Sequence, residues 1–220
     1  MLNIILPISK RKDKASSDIK LDLLYNVNKK PILYWALKPL NSINGKKKYT
    51  VICLAEDYHD LNLKKVFEIY ADGEVEFIIL DKPTQGMPCS VLLAAPKLLK
   101  SEEILISSLD QFIDVDLNLA IEKFRNNEAC SGVWAFKSIN KKWSYAIKEE
   151  ERIVEVREKD PISDNALCSL YWFKNSELLI ESIKTYLLRG QKVNNAYYLA
   201  PVYNEIILGQ GKVLFSDVDA

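Results

Sequence analysis

MLNIILPISKRKDK, residues 1–14, starts with an apolar run from Leu2 to Leu6, interrupted only by Asn3, and passes straight into a loop dense in lysine and arginine. A short apolar run bounded by turn residues reads as a buried strand. A strand followed by a loop and a helix is where α/β proteins usually cradle phosphate, on backbone N–H groups that glycine lets approach closely. No glycine occurs between Pro7 and Lys30, and Lys10, Arg11, Lys12 and Lys14 stand there instead. Any attraction for phosphate at this place has to come from side chains.

Outward from that stretch, apolar runs alternate with helical periodicity through the first 130 residues. Strands are predicted at Leu2 to Pro7, Tyr49 to Ala55, Val75 to Leu80 and Glu103 to Leu109. Helices are predicted at about Pro31 to Leu40, Tyr58 to Tyr70, Pro88 to Lys100 and Leu117 to Asn127. This rhythm predicts an α/β fold with a Rossmann-like, mostly parallel sheet flanked by helices. Ligands in such sheets sit at the carboxyl ends of the strands, which gathers three loops: Ser9 to Leu21, Asp81 to Cys89 and Ser107 to Asp116. The second half carries strands at Ser131 to Phe136, Trp143 to Lys148, Ile153 to Glu158 and Ala166 to Phe173, with KEEER (148–152) as a hairpin turn. Helices at Ser176 to Arg189 and Leu199 to Leu208 and a strand at Lys212 to Phe215 follow. No linker or repeat divides the chain, so a single domain is expected, residues 131–220 forming a mixed-sheet elaboration with a small hairpin over the open edge of residues 1–130.

At 220 residues the chain is long enough to bury a sizeable core, and 48% hydrophobic with 27% charged residues is ordinary for a globular protein. No stretch approaches the roughly 18 apolar residues of a membrane span, and no basic segment precedes the first apolar run as in a secretory leader. A cytoplasmic protein is the expectation. Thirty basic residues balance thirty acidic ones, leaving no global field to recruit nucleic acid or an anionic membrane. Lys46, Lys47 and Lys48 lie beside Asn44-Gly45 and read as a solvated turn. Cys53, Cys89, Cys130 and Cys168 are widely spaced and read as free thiols of a reducing compartment. His59, in the polar helix start EDYHDLNLKK (56–65), is a poor candidate for a general base.

Three stretches hold residues suited to phosphate chemistry. ILISSLDQFIDVD (104–116) is a buried strand ending in acid at the ligand edge, and Mg²⁺ takes one or two carboxylates together with substrate phosphates. Asp110 leads; Asp114 and Asp116 fit a metal site and a helix cap equally well. In DKPTQGMPCSVLLAAPKLL (81–99), Thr84 and Gln85 suit a base edge or ribose, Gly86 admits a ligand to the backbone, and Pro88 opens a helix. In VREKDPISDNALCSLYWF (156–173), Lys159 follows a strand beside Glu158, a posture for an ammonium reaching a substrate phosphate.

Taken in order, PILYWAL (31–37), TQGMPCSVLLA (84–94), ILISSLDQ (104–111), KWSYA (142–146), VREKDPISDNA (156–166), YWF (171–173) and APVYNEII (200–207) resemble the bacterial sugar nucleotidyltransferases, over nearly the whole chain. These GT-A-like enzymes join a nucleoside triphosphate to a sugar 1-phosphate and release pyrophosphate; the likeness is greatest to the capsule and surface-polysaccharide branch, some of whose members are cytidylyltransferases. The resemblance implies that Asp110 holds Mg²⁺ and that Lys159 with Glu158 faces the sugar phosphate. It implies that Thr84, Gln85 and Gly86 meet the nucleobase, with Pro7, Ser9, Lys10, Lys12, Lys14 and Ser108 completing the nucleotide side. Asn165 and Tyr171 would line the acceptor side. The partners implied are a nucleoside triphosphate, with CTP one candidate, and a phosphorylated small molecule, with an oligomer left open.

The departures from the family pattern lie mostly in the first loop. Where the family has a glycine-rich signature ending in arginine, PISKRKDK (7–14) has no glycine and puts Lys14 at the arginine's place. Asp22 occupies the catalytic lysine's position, leaving Lys20, two residues upstream, as the candidate. Ser169 replaces a glycine, Ala196 replaces a glutamate, and FSDVDA (215–220) stops before the family's closing Gly-Thr-Pro, with Asp217 and Asp219 the nearest acids. A carboxylate in place of the lysine repels a phosphate about 4 Å away by roughly 4 kcal/mol at an effective dielectric near 20. Three functions therefore stand: a nucleotidyltransferase with a remodelled phosphate loop, a relative that binds nucleotide, sugar nucleotide or a partner protein without turnover, and a glycosyltransferase using Asp110 to Asp116 as its metal cluster.

Overall fold

β1 (Leu2–Pro7) is buried on both faces: Leu2, Ile4 and Leu6 enter one core layer and Ile5 the other, as expected of a strand inside a parallel sheet. The structure, a computed structural model, describes residues 1–8 and 23–218. The expectations placed on Ser9, Lys10, Lys12, Lys14, Lys20, Asp22 and Asp219 lie outside the described residues.

A two-residue ribbon, β2 (Asn26–Val27) and β3 (Lys30–Pro31), leads into α1 (Ile32–Asn41). Alternation follows through β4 (Lys47–Leu54), α2 (Ala55–Asp60), α3 (Leu63–Tyr70), β5 (Glu74–Leu80), α4 (Met87–Leu93), β6 (Glu103–Ser107) and α5 (Leu117–Asn126). The remainder is β7 (Ser131–Lys137), β8 (Ser144–Glu149), β9 (Arg152–Glu158), β10 (Asn165–Phe173), α6 (Ser176–Arg189), α7 (Tyr203–Leu208) and β11 (Val213–Asp217).

Two expected helices are interrupted for local reasons. The one expected from Tyr58 to Tyr70 splits into α2 and α3 because Asn62 turns left-handed at φ 45°, a conformation asparagine tolerates. The one expected from Pro88 to Lys100 ends at Leu93, and a single 3-10 turn, Ala95–Lys97, carries Pro96, whose ring cannot continue an α-helix.

The sheet is mixed, as expected, but it is not mostly parallel. Its order is β5-β4-β1-β6-β10-β7-β11-β9-β8, with the first four strands parallel and β11 parallel to β7. β10 runs antiparallel between β6 and β7, and β8 and β9 form an antiparallel hairpin. The two residues 150–151 between β8 and β9 leave no room for the dozen or more residues of a parallel crossover, so that pair is an antiparallel hairpin. The hairpin does more than decorate an edge, because Ala166 of β10 also pairs with Tyr145 of β8. β10, β7, β11, β9 and β8 thereby close into a small ring continuous with the open sheet.

Helices α1, α3 and α5 cover one face through Leu33, Leu37, Phe67, Ile121 and Phe124. The other face is covered by α4, α6 and α7 through Val91, Leu179, Ile183 and Ile206. The amino ends of the central strands are joined by a buried polar group: Asn3 Nδ2 donates to Glu102 at 3.4 Å, Thr50 Oγ1 donates to Asn3 at 2.9 Å, and Lys48 Nζ lies 3.1 Å from Glu102 Oε1. Lys47 meets Asp72 at 3.2 Å. Two members of the supposed solvated lysine turn are thus ion-paired parts of the scaffold, at the sheet edge away from the ligand end. No helix among the described residues is long and apolar enough to cross a membrane.

Candidate active site

Since β10 is antiparallel to both β6 and β7, the carboxyl ends of β1, β4, β5, β6, β7 and β11 share one edge. Asp110 lies there, three residues beyond β6. Leu109 is buried beneath it while Asp110 is exposed, and Ser108 Oγ donates to Asp110 Oδ1 at 2.5 Å. Pro7, half-buried, ends β1 on the same edge. Asp116 takes the capping role: its carboxylate accepts from Asn118 N at 2.9 Å at the start of α5.

The loop carrying Asp110 is fastened to β10. Ser108 N donates to the Ser169 carbonyl at 3.1 Å, and Ser169 N donates to Gln111 Oε1 at 3.1 Å. With both backbone groups of Ser169 engaged by this loop, the β10–β7 register shifts between Leu167 and Tyr171. Tyr171 follows the irregularity, 5% exposed. Burial drives its phenol well above the ordinary range, the carboxylates of Glu158 and Asp110 push the same way, and a hydrogen bond with Ser169 pulls back. Asp110, Ser169, Tyr171 and Glu158 therefore share one neighbourhood, although the two acids lie far apart in sequence. Glu158 in turn accepts from Ser144 Oγ.

Lys159 is reached by a turn at the end of β9. Its φ of 56° is left-handed, its backbone N donates to Trp143 O at 3.0 Å, and its ammonium donates to Tyr198 Oη at 2.8 Å. A non-glycine residue held there is costly and persists only where the surroundings fix it. Asn165 behaves differently: it is 6% exposed in the ring, Nδ2 donates to the Ala146 carbonyl at 3.3 Å, and Oδ1 accepts from Lys137 at 2.9 Å.

The Thr84–Gly86 loop is tied to the chain after α6. Gly86 (φ 139°) bridges Tyr197, Tyr197 N donates to the Gln85 carbonyl at 2.9 Å, and Lys192 donates to Gln85 Oε1 at 2.7 Å. Thr84 Oγ1 lies 2.7 Å from Ser90 Oγ and donates to the Gly86 carbonyl at 3.0 Å. Both side chains expected at the nucleobase thus hold protein partners. Sequence reasoning missed Gln111, although it adjoins Asp110, and assigned no role to Tyr197 and Tyr198.

A water-sized cavity of about 10 Å³ lies behind Gln111, and a groove of about 370 Å³ lies apart from this cluster, between α3 and β5, lined by Tyr58, Lys64, Glu68 and Phe77. Among the described residues no group of three His, Cys, Asp or Glu side chains forms a metal cage. One exposed carboxylate with an adjacent hydroxyl suits instead a Mg²⁺ ion that arrives with substrate phosphates.

The buried thiols yield a pH prediction. Burial, with the charge of Asp57 adding to it, pushes Cys53 up to about 11, and burial pushes Cys168 up to about 12 against backbone hydrogen bonding. Both would ionise near 9 once unfolded, so the stability that they contribute is whole below pH 9 and is lost as pH rises through 11 to 12. The melting midpoint should fall by about 5 °C or more between pH 8 and pH 10.5, less steeply in a Cys53→Ala/Cys168→Ala variant, and an unchanged slope would show that the thiols do not matter.

No family model matches the sequence, and no curated protein matches it. Solved structures do. A nucleoside-diphosphate-sugar pyrophosphorylase from Vibrio cholerae RC9 superposes with a TM-score of 0.81 at 18% identity, covering 99% of this chain and 92% of that one. A protein from Bacillus anthracis assigned as a glucose-1-phosphate thymidylyltransferase, in complex with a sucrose, gives 0.73 at 17% identity over 100% of this chain and 87% of that one. The inositol-1-phosphate CTP transferase of T. maritima gives 0.70 at 17%, over 98% and 84%. At these identities the likeness is one of fold, and it extends along nearly the whole of this chain and most of each of those structures.

Proposed function

We propose that this protein is a nucleotidyltransferase that moves a nucleotidyl group from a nucleoside triphosphate to a sugar 1-phosphate or related phosphorylated acceptor, with release of pyrophosphate. The observation that supports the reading is that the Asp110 loop is hydrogen-bonded to Ser169 of β10, whose first residues pair with β8 beside Ser144 and Glu158, with Lys159 next in sequence. Fold likeness to three structures whose names describe nucleotidyl chemistry on sugar or inositol phosphates supports it. So does the order of motifs along the sequence. Residues 1–130 would bind nucleotide and residues 131–220 the acceptor, in a single domain of GT-A type acting in the cytoplasm on surface-polysaccharide precursors.

In this reading Asp110 would hold Mg²⁺, with Ser108 beside it on the nucleotide side, and the ion when bound would neutralise developing charge on the phosphates. Lys159 draws the acceptor phosphate into line with the α-phosphorus, while Glu158 and Tyr171 orient the acceptor. Lys10, Lys12 and Lys14 would contact the triphosphate, Lys20 would stand in for the catalytic lysine, and Gly86 would let the base approach backbone. In-line transfer then needs positioning and charge neutralisation, with no covalent intermediate. The glycine-free loop and Asp22 favour a second reading, nucleotide binding without turnover.

Thermal melts with CTP, UTP, GTP, ATP and dTTP, each with and without Mg²⁺, test both. A ligand at 100 times its dissociation constant adds about 2.7 kcal/mol, or about 5 °C or more for a chain of this length. A Mg²⁺-dependent rise with one base, followed by pyrophosphate release with a sugar phosphate, is expected. A rise without turnover selects the second reading, and no rise with any of the five overturns both.

A further inference from the structure

We propose that Tyr198 is a positioning residue that holds the Lys159 ammonium in place, through a segment that also fixes the Gly86 turn. The purpose of that placement rests on the nucleotidyltransferase reading; the placement itself does not. Lysine is a point charge on a flexible stem, and its average position is diffuse unless something confines it. Here the ammonium donates to Tyr198 Oη at 2.8 Å and lies 4.8 Å from the ring centroid, so it sits toward the hydroxyl end of the ring. A phenol confines the ammonium without cancelling its charge and leaves N–H donors for a phosphate, whereas a carboxylate would neutralise it. Nearby acids have other partners: Asp160 meets Arg157 at 3.1 Å, and Glu158 accepts from Ser144.

Tyr198 is itself held. Val193 and Ala196 exchange two backbone hydrogen bonds of 3.0 Å across Asn194 and Asn195, whose φ values of 49° and 61° make the tight mirror-image turn that asparagine favours. Lys192 binds the side-chain oxygen of Gln85 and Tyr197 N its carbonyl, Tyr186 Oη donates to the Gln191 carbonyl at 3.0 Å, and Leu199 is buried. The segment from Gln191 to Leu199 is thus one clamp with two outputs, the Gly86 turn and the Lys159 ammonium.

The test is ¹³C NMR of reductively methylated full-length protein, with Lys159 assigned through Lys159→Arg. The Lys159 resonance is expected to stand apart from the surface lysines and to move to their position in Tyr198→Phe, which keeps the ring and removes the hydroxyl. In turnover, Tyr198→Phe should lower kcat about tenfold while the nucleotide KM changes less than about twofold, with no further loss in a Lys159→Met background. A wild-type resonance already at the surface-lysine position, or one unmoved by Tyr198→Phe, overturns the proposal. A resonance that moves in a protein that releases no pyrophosphate with any nucleotide upholds the positioning and removes the nucleotidyltransferase reading.

Discussion

Asp110→Asn should reduce Mg²⁺-dependent pyrophosphate release by about a thousandfold or more while leaving the melting midpoint within about 3 °C of the parent. The two expectations separate because charge and shape separate at this residue. Asparagine is nearly isosteric, and its carbonyl can accept the Ser108 hydroxyl bond now made at 2.5 Å, so the loop pinned to Ser169 has no reason to move. What goes is the negative charge, on an exposed side chain at the ligand edge where the proposed mechanism places a divalent cation. A thousandfold is about 4 kcal/mol of transition-state stabilisation, within the range ascribed to preorganised charge in phosphoryl transfer. The Mg²⁺-dependent part of nucleotide-induced thermal stabilisation should vanish with it. Asp116 supplies the contrast, since it caps α5 through Asn118 N. Asp116→Ala should cost about 1 kcal/mol of stability and leave turnover unchanged. Activity of Asp110→Asn within tenfold of the parent would remove Asp110 from the mechanism, and a loss on Asp116→Ala without destabilisation would revive the metal cluster of the glycosyltransferase reading.

How much of this was readable beforehand depended on how local each determinant is. β1 and α6 matched their expected bounds, and every expected strand formed within a few residues, because burial on one or two faces imprints itself on consecutive residues. Closure of the ring was not readable, since it turns on a single pairing, Ala166 with Tyr145, between strands apart in sequence. Asp110 and Lys159 stood out because strand ends in an α/β sheet are marked by where apolar runs stop. Gln111 and Tyr198 did not, because each acts through a partner far along the chain: Gln111 through the Ser169 amide, Tyr198 through the Lys159 ammonium. Lys47 and Lys48, which open β4, misled for the same reason, as Asp72 and Glu102, their partners, lie well downstream.

Gly86→Ala is the structural counterpart to Asp110→Asn, and it should lower the midpoint by about 10 °C. Two separate costs combine. Gly86 adopts φ 139°, which L-residues rarely reach, and a Cβ built there would lie 2.0 Å from the Tyr197 carbonyl oxygen and 2.9 Å from its N and C atoms. Those atoms are backbone, and the Tyr197 N bond to Gln85 prevents them from yielding independently. The turn and the clamp must come apart, at about 3–5 kcal/mol for backbone strain together with overpacking. At about 2–4 °C per kcal/mol for a chain of this size, a fall near 10 °C follows. Gly45 isolates the first cost, because it too has positive φ, at 86°, yet a Cβ there meets nothing within 4 Å. Gly45→Ala should therefore lose only about 1 kcal/mol. If the two variants melt alike, the Gly86–Tyr197 approach carries no energy. If Gly86→Ala alone collapses and the Lys159 resonance moves with it, the Gly86 turn and the Lys159 ammonium are held by one piece of chain.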